Sequence, residues 1–229
     1  MPTAILFDVD GTLVLTGGAG GRAMSLAFEE IFGIRDAFAG IAMPGRTDAW
    51  ILAAAAEAHG IRPGSADLAR FHSVYFLHLA RELERPGPRK GIMPGVTALL
   101  AALAGRSDAY LALLTGNYET SARLKLEYFD LWRYFRCGAF GDDAIDRNGL
   151  LPRAVAQIGA CGGPAVPASQ CVVIGDTPLD VACAAAGGAR SVAVATGGHG
   201  VDELRAAGAD VVFEDLSRTD EVLAAIIRT

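Results

Sequence analysis

The sequence predicts an α/β fold: a doubly wound, Rossmann-like parallel sheet core carrying an inserted block of helices. Three features predict it. Short apolar runs ending at Asp8, Thr115 and Asp176 are separated by stretches of helical spacing, the pattern of strand–helix–strand units. Each run ends in a polar residue that a buried strand has no structural reason to carry, which puts those groups at the carboxyl edge of the sheet, where open α/β sheets gather their chemistry. Between Arg22 and Arg85 the alternation stops and no strand signal remains, so this stretch reads as a helical insertion. The expected division is a core of residues 1–15 and 86–229 and a helical unit of residues 16–85.

Taken in order, the stretch Ile5 to Leu13 opens on an apolar run that, as a buried parallel strand, carries Asp8 and Asp10 out at its carboxyl end and is followed by a glycine turn. Side chains alternate along a strand, so Asp8 and Asp10 point one way and Val9 the other. Thr16 to Arg22 is too glycine-rich for any element and suits a hinge; as a phosphate-cradling loop it lacks the Gly-Lys-Ser/Thr ending. Helical spacing then recurs at Ala23, Leu26, Ala27, Glu30 and Ile31, at Trp50, Ile51, Ala54 and Ala55, and at Leu68, Phe71, Val74, Tyr75 and Leu79. Pro86-Gly87-Pro88 breaks the pattern, and Pro94 opens a helix over Val96, Leu99, Leu100 and Leu103. Tyr110–Thr115 is a strand, Gly116-Asn117 a turn and Glu119–Tyr128 a helix. A short strand near Cys137–Phe140 and a helix over Ala154–Cys161 follow. Cys171–Asp176 is a strong strand with a helix through Ala184, and Ser191–Ala195 and Asp210–Phe213 are weaker strands.

Bulk composition narrows the function. An apolar content of 52% in 229 residues excludes disorder, and a net charge of −6 gives no general attraction to nucleic acid or to an anionic membrane. The four cysteines form no C-x-x-C pair and have no histidine at zinc spacing, so reduced structural thiols are expected. Residues 1–9 read directly as a strand, without a charged and apolar leader ahead of it, and no run of about eighteen apolar residues exists. The expected setting is soluble and cytoplasmic.

Two carboxylates as close as Asp8 and Asp10 repel, and a divalent cation would hold them ionised; hard oxygen ligands suit Mg²⁺, which also takes phosphate oxygens. Asp176 ends a third strand, with Asp180 one helical turn on, and Thr115 adds a hydroxyl at the same rim. Together these make a Mg²⁺ site with room for a phosphoryl group.

Asp8-Val9-Asp10-Gly11-Thr12-Leu13, Thr115-Gly116-Asn117 and Gly175-Asp176-Thr177-Pro178-Leu179-Asp180 resemble the signature motifs of the haloacid dehalogenase superfamily, over essentially the whole chain. The helical insertion resembles that family's small helical cap, and its placement is similar to that in phosphoglycolate phosphatases and β-phosphoglucomutases. Gly45-Arg46-Thr47-Asp48 resembles a cap stretch of the former. The resemblance implies that Asp8 is the nucleophile of an aspartyl-phosphate mechanism and Asp10 the acid and then the base. It implies Mg²⁺ held by Asp8, the Asp10 carbonyl, Asp176 and Asp180, with Thr115 on a phosphoryl oxygen and Thr12, Gly11, Gly116 and Asn117 as further contacts. The family's lysine in a Lys-Pro stretch is missing. The chain has only Lys90 and Lys125, and the place before Pro152 reads Asp146-Arg147-Asn148. Either Lys125, reaching back from the helix after Thr115, or Arg147, by a bidentate fork, supplies the charge, with Lys125 slightly preferred.

Arg22 and Arg46 are the candidates for the non-reacting end of an anionic substrate, against ordinary surface arginines. His59, His72 and His78 read as cap-packing or surface groups, His199 as a loop residue, and Trp50, Phe71, Tyr75 and Phe76 as cap core. A dehalogenase uses a lone aspartate without metal, against which Asp10, Gly11 and Asp176 speak, and a phosphonate hydrolase needs a cap lysine that residues 14–89 lack. The expected activity is a phosphomonoesterase on a small soluble phosphate ester, phosphoglycolate leading by resemblance and sugar phosphates and nucleotides open. A phosphomutase is the alternative, and an intact nucleophile-and-metal set argues against a mere binding module.

Overall fold

The computed structural model describes residues 2–227. In chain order, β1 is Thr3–Phe7, β2 Val14–Leu15, α1 Ala19–Phe32, α2 Asp48–Ala58, α3 Ala66–Glu84, β3 Gly91–Ile92, α4 Val96–Ala104, β4 Ala109–Leu114 and α5 Glu119–Tyr128. Then come β5 Gly138–Ala139, α6 Leu150–Ala160, β6 Cys171–Gly175, α7 Pro178–Gly187, β7 Arg190–Val194, α8 Val201–Ala206, β8 Val211–Phe213 and α9 Thr219–Ile226. The main sheet is parallel throughout, in the order β5-β4-β1-β6-β7-β8. The order reverses about β1, so the crevice beyond β1, β4 and β6 is the switch point at which such sheets bind ligands.

The strands read as unbroken apolar runs because helices cover both faces. One face packs Ile5, Phe7, Leu113 and Ile174 against Leu99 and Leu103 of α4, Leu126 of α5 and Ile226 of α9. The other packs Leu6, Leu114 and Val173 against Leu151, Ala154 and Ile158 of α6 and Ala184 of α7. A separate apolar cluster centred on Phe28, Phe71, Tyr75 and Leu79 joins α1, α2 and α3, and the core contributes Tyr118 to it. Thr47 and Ser65 accept the N-cap hydrogen bonds of α2 and α3 from Trp50 N and Leu68 N. Among the described residues, no helix is long and apolar enough to cross a membrane.

Three local features depart from the sequence reading. The glycine-rich stretch 16–22 is not wholly a linker, since α1 starts at Ala19 and holds Gly20 and Gly21 in its first turn. The helix expected over 154–161 begins at Leu150, with Pro152 in the first turn, where a missing N–H costs little. Strands β2 and β3 form an antiparallel ribbon flanking the helical insertion, too short for alternation to betray them.

Candidate active site

Asp8 is the first residue beyond β1, its amide bonded to the Ile174 carbonyl at 2.9 Å. The turn after it is possible because Gly11 holds φ at 81°. Asp176 follows β6, and Asp180 is fixed by a capping box in which its Oδ2 accepts from Thr177 N at 3.0 Å and Thr177 Oγ1 at 2.7 Å. One carboxylate oxygen from each of Asp8, Asp176 and Asp180 lies within 4.8 Å of the others, and all three residues are buried. Burial pushes the Asp8 carboxyl up to about 6, opposed by Arg147 and reinforced by Asp180 and Asp10. It pushes Asp176 up to about 9, with Asp180 and Asp8 adding. Buried acids that raise one another in this way are relieved by a cation among them.

The backbone around Asp176 is shaped for that carboxylate. A Cβ on Gly11 would lie 2.4 Å from Asp176 Oδ2 and one on Gly197 only 1.7 Å away. Thr12 Oγ1 donates to Asp176 Oδ1 at 3.2 Å, and Thr196 Oγ1 donates to the Gly11 carbonyl at 2.5 Å. Oxygen-only donors, buried and closely set, fit a hard divalent ion.

Two cations divide the acids. Arg147, in a single helical turn before α6, reaches Asp8 Oδ1 at 3.0 Å, pairs with Asp180 Oδ1 and donates to the Gly45 carbonyl at 2.9 Å. Burial works against its charge, and Asp180 and Asp8 outweigh it. Lys125, on α5, is buried and donates to Asp10 Oδ2 and to Asn117 Oδ1, each at 2.5 Å. Asn117 Nδ2 donates in turn to Asp10 Oδ2 at 2.8 Å and to Thr115 Oγ1 at 2.9 Å. The Asp10 carboxylate thus stands apart from the Asp8–Asp176–Asp180 group, on the Lys125 side.

These groups open on a cavity of about 320 Å³. Its strand-end wall holds Asp8, Asp10, Gly11, Gly116, Asn117, Lys125, Arg147 and Asp176, and the helical insertion contributes Met24, Met43, Arg46, Ile51 and Tyr75. Of the two arginines expected at the far end of a substrate, Arg46 lines the cavity, its guanidinium 4.4 Å over the Trp50 ring. Arg22 does not line it: Nε pairs with Glu82 at 2.6 Å and Nη1 donates to the Gly17 carbonyl at 2.6 Å. Its charge is spent tying α1 to α3. The histidines bind locally, His199 to Glu203, His78 to Glu30 and His59 to the Ala37 carbonyl, while His72 packs on Tyr118.

In the sequence reading Asp48 had no role beyond its place in Gly45-Arg46-Thr47-Asp48, and Gly197 had none. Asp48 Oδ2 accepts from Tyr118 N and Ser121 Oγ, both at 3.0 Å, and its amide donates to the Gly116 carbonyl at 2.7 Å. Burial pushes its carboxyl up to about 6 against the pull of Lys125. An acid directly after an N-cap threonine reads as a first-turn charge, and only the fold shows it buried against the start of α5. For Gly197, the signal available was a Gly-Gly pair in the turn after a strand.

Comparison with known proteins agrees with this geometry. The family model for haloacid dehalogenase-like hydrolases matches residues 2–188. A phosphoglycolate phosphatase of Rhodospirillum rubrum is 32% identical over 220 residues, 95% of this chain and 89% of that protein. A probable phosphatase, IndB, of Dickeya dadantii is 29% identical over 242 residues, covering 100% and 96%. Among solved structures, CbbY from Rhodobacter sphaeroides in complex with phosphate superposes with a TM-score of 0.69 at 20% identity, over 95% of this chain and 96% of that one. A hydrolase from Pseudomonas syringae gives 0.70 at 22% identity, covering both chains completely, so the fold is shared throughout. With strand order, insertion and matching sequence in agreement, the chain belongs to the haloacid dehalogenase-like hydrolases.

Proposed function

We propose that the protein is a Mg²⁺-dependent phosphomonoesterase that cleaves a small soluble phosphate ester, phosphoglycolate or a similar compound, through an aspartyl-phosphate intermediate. The observation that carries this reading is the separation of two carboxylates facing one cavity: Asp8 among Asp176, Asp180 and Arg147, and Asp10 on Lys125 and Asn117. A nucleophile and a proton carrier need such different surroundings.

Asp8, the Asp10 carbonyl, Asp176 and Asp180 would hold Mg²⁺, which when bound supplies positive charge against the carboxylates and the phosphoryl oxygens. The Asp8 carboxylate attacks phosphorus, the ester P–O bond breaks, and the leaving alkoxide takes a proton from Asp10. Water then gives a proton to Asp10 and attacks the same phosphorus, releasing inorganic phosphate and restoring Asp8. Arg147 fixes and neutralises Asp8, while Lys125 and Asn117 orient Asp10. Thr115 and the Gly116 amide serve the phosphoryl oxygens, whereas the Gly11 amide is bonded to the Val14 carbonyl at 2.9 Å, the Asn117 amide to Thr115 Oγ1 at 3.3 Å and the Thr12 hydroxyl to Asp176. Residues 16–85 act as a cap over residues 1–15 and 86–229, with Arg46 the charged cap group toward the leaving portion. The named activity of the Rhodospirillum rubrum relative supports phosphoglycolate.

The test is release of p-nitrophenol and inorganic phosphate from p-nitrophenyl phosphate with Mg²⁺, with and without EDTA, for wild type and Asp8→Asn. Turnover should require metal and drop by several orders of magnitude in the variant. Turnover that survives EDTA, or that Asp8→Asn leaves intact, overturns the proposal, and an ester panel that includes phosphoglycolate ranks the substrates.

A further inference from the structure

Arg147 touches three separate parts of the chain with one planar group. Nη2 lies 3.0 Å from Asp8 Oδ1 and pairs with Asp180, while Nη1 donates 2.9 Å to the carbonyl of Gly45, a residue of the helical insertion. Its Nε is buried without a hydrogen-bond partner, so contacts at Nη1 and Nη2 alone set the guanidinium plane.

Gly45 begins a segment that Thr47 and Asp48 tie to the core. Thr47 Oγ1 donates to the Ile145 carbonyl at 2.7 Å, Asp48 N to the Gly116 carbonyl at 2.7 Å, and Asp48 Oδ2 accepts from Tyr118 N and Ser121 Oγ. The seat is also tight in shape. A Cβ on Gly45 would lie 2.6 Å from Thr177 Oγ1, and one on Gly116 only 2.3 Å from the Arg46 carbonyl oxygen. Met43, Pro44, Gly45 and Arg46 wall the cavity.

We infer that Arg147 is a positioning residue that couples the seating of the Gly45–Asp48 segment to the setting of Asp8; the inference rests on the proposed role of Asp8 as nucleophile. When the segment lifts, Nη1 loses its acceptor and the plane that orients Nη2 toward Asp8 is no longer fixed. When it seats, both are restored together, so the nucleophile is set only under a closed segment. Arginine suits this post because its donors sit on separate nitrogens in a rigid fork, whereas lysine has one nitrogen to share among the same acceptors. Coupling of this kind is reciprocal, so disturbing the segment from its far side must loosen Arg147.

Hydrogen–deuterium exchange of the full chain, followed by mass spectrometry of the peptide spanning residues 43–50, reads the seating without turnover. Arg147→Lys keeps a positive charge near Asp8 and loses the fork. Exchange in that peptide should quicken about tenfold, the scale of one hydrogen bond to a charged group, while α1 and α3 exchange as in wild type. Ser121→Ala touches neither Asp8 nor Arg147; it should lower kcat for p-nitrophenyl phosphate in the wild-type background and change nothing further in Arg147→Lys. Wild-type exchange over 43–50 in Arg147→Lys, or effects of the two substitutions on kcat that simply multiply, overturns the inference. If Arg147→Lys fails to fold, Ser121→Ala decides alone: it must quicken exchange over residues 145–149, and unchanged exchange there overturns the coupling. A wild-type protein that hydrolyses no phosphate ester would sink the proposed function, while the exchange result would still decide whether the segment and Arg147 are linked.

Discussion

Adding one methyl group at Gly197 should disable the site without touching any acid. The new Cβ would stand 1.7 Å from Asp176 Oδ2 and 2.7 Å from its Cγ. Carbon and oxygen not bonded to each other approach to about 3.3 Å, so something must yield by about 1.5 Å. Asp176 has little room to retreat, because a Cβ placed on Gly11 would be 2.4 Å from the same oxygen and Thr12 binds the other. A displacement of about 1 Å in a reacting constellation costs about 10²-fold in rate, and overpacking costs about 1–3 kcal/mol, a Tm loss of about 3–10 °C for a chain of this size. Titrating Mg²⁺ into the p-nitrophenyl phosphate assay should show Gly197→Ala with kcat down by about 10²-fold or more and a raised half-saturating Mg²⁺ concentration. Gly198→Ala is the control, since a Cβ there meets nothing within 4 Å, and it should match wild type. A Gly197→Ala enzyme with a wild-type response to Mg²⁺, or a Gly198→Ala enzyme equally damaged, refutes the placing of Asp176 in the metal group.

Three further outcomes follow from the same geometry. Lys125→Ala strips Asp10 and Asn117 of a shared donor, and kcat should fall by about 10²-fold, the low end for a mispositioned general acid; steady-state kinetics with an unchanged kcat would contradict the pairing. Because burial raises the Asp48 carboxyl to about 6 in the folded chain, the fold holds that proton more tightly than the unfolded chain does. The resulting stability is complete below about pH 4 and lost as pH rises through 6, so the stability of Asp48→Asn relative to wild type should climb over that window by up to about 3 kcal/mol, and a flat difference in thermal melts would refute it. Mg²⁺ at about a hundred times its Kd should stabilise the protein by about 2.7 kcal/mol, raising Tm by about 5–10 °C, and an unchanged melt would remove the ion from the site.

Much of the site was legible because it is anchored where strands end. Asp8, Thr115 and Asp176 each follow an apolar run whose length and burial fix the direction of the chain, so their convergence follows from the sheet alone. Lys125 was legible as one of only two lysines in the chain, on the helix that follows Thr115, and its buried side chain returns to the same rim. The preference for Lys125 over Arg147 had no such footing, because Arg147 lies in a turn whose direction no spacing encodes. The structure brings both to the cavity on different acids. Arg22 was misleading for a related reason: its partner Glu82 is far along the chain, and a charge pair between two helices leaves no local pattern. The packing of Gly11 and Gly197 against Asp176 is likewise invisible in sequence, where a glycine signals freedom and not the neighbour that requires it.

The charge balance explains why two cations serve where one would seem enough. With Asp10 holding the proton it gives up as the proposed acid, Asp8, Asp176 and Asp180 face Arg147 and Lys125, and a single divalent ion would leave one net positive charge to meet a phosphate dianion. Were Arg147 to serve both sides, it would have to release Asp8 or Asp180 to reach Asp10, and Asp8, the proposed nucleophile, would lose its fixed neighbour. Were Lys125 alone present, Asp8 and Asp180 would lie buried and uncompensated on the far side of the cluster, at a cost of several kcal/mol. Dividing the task lets Asp10 be oriented by a lysine and an amide while Asp8 is held by a guanidinium, and it frees Nη1 of that guanidinium to take the Gly45 carbonyl. The departure from a Lys-Pro stretch is therefore coherent with the rest of this site: the arginine keeps the charge at that position and adds a contact to the segment that walls the cavity.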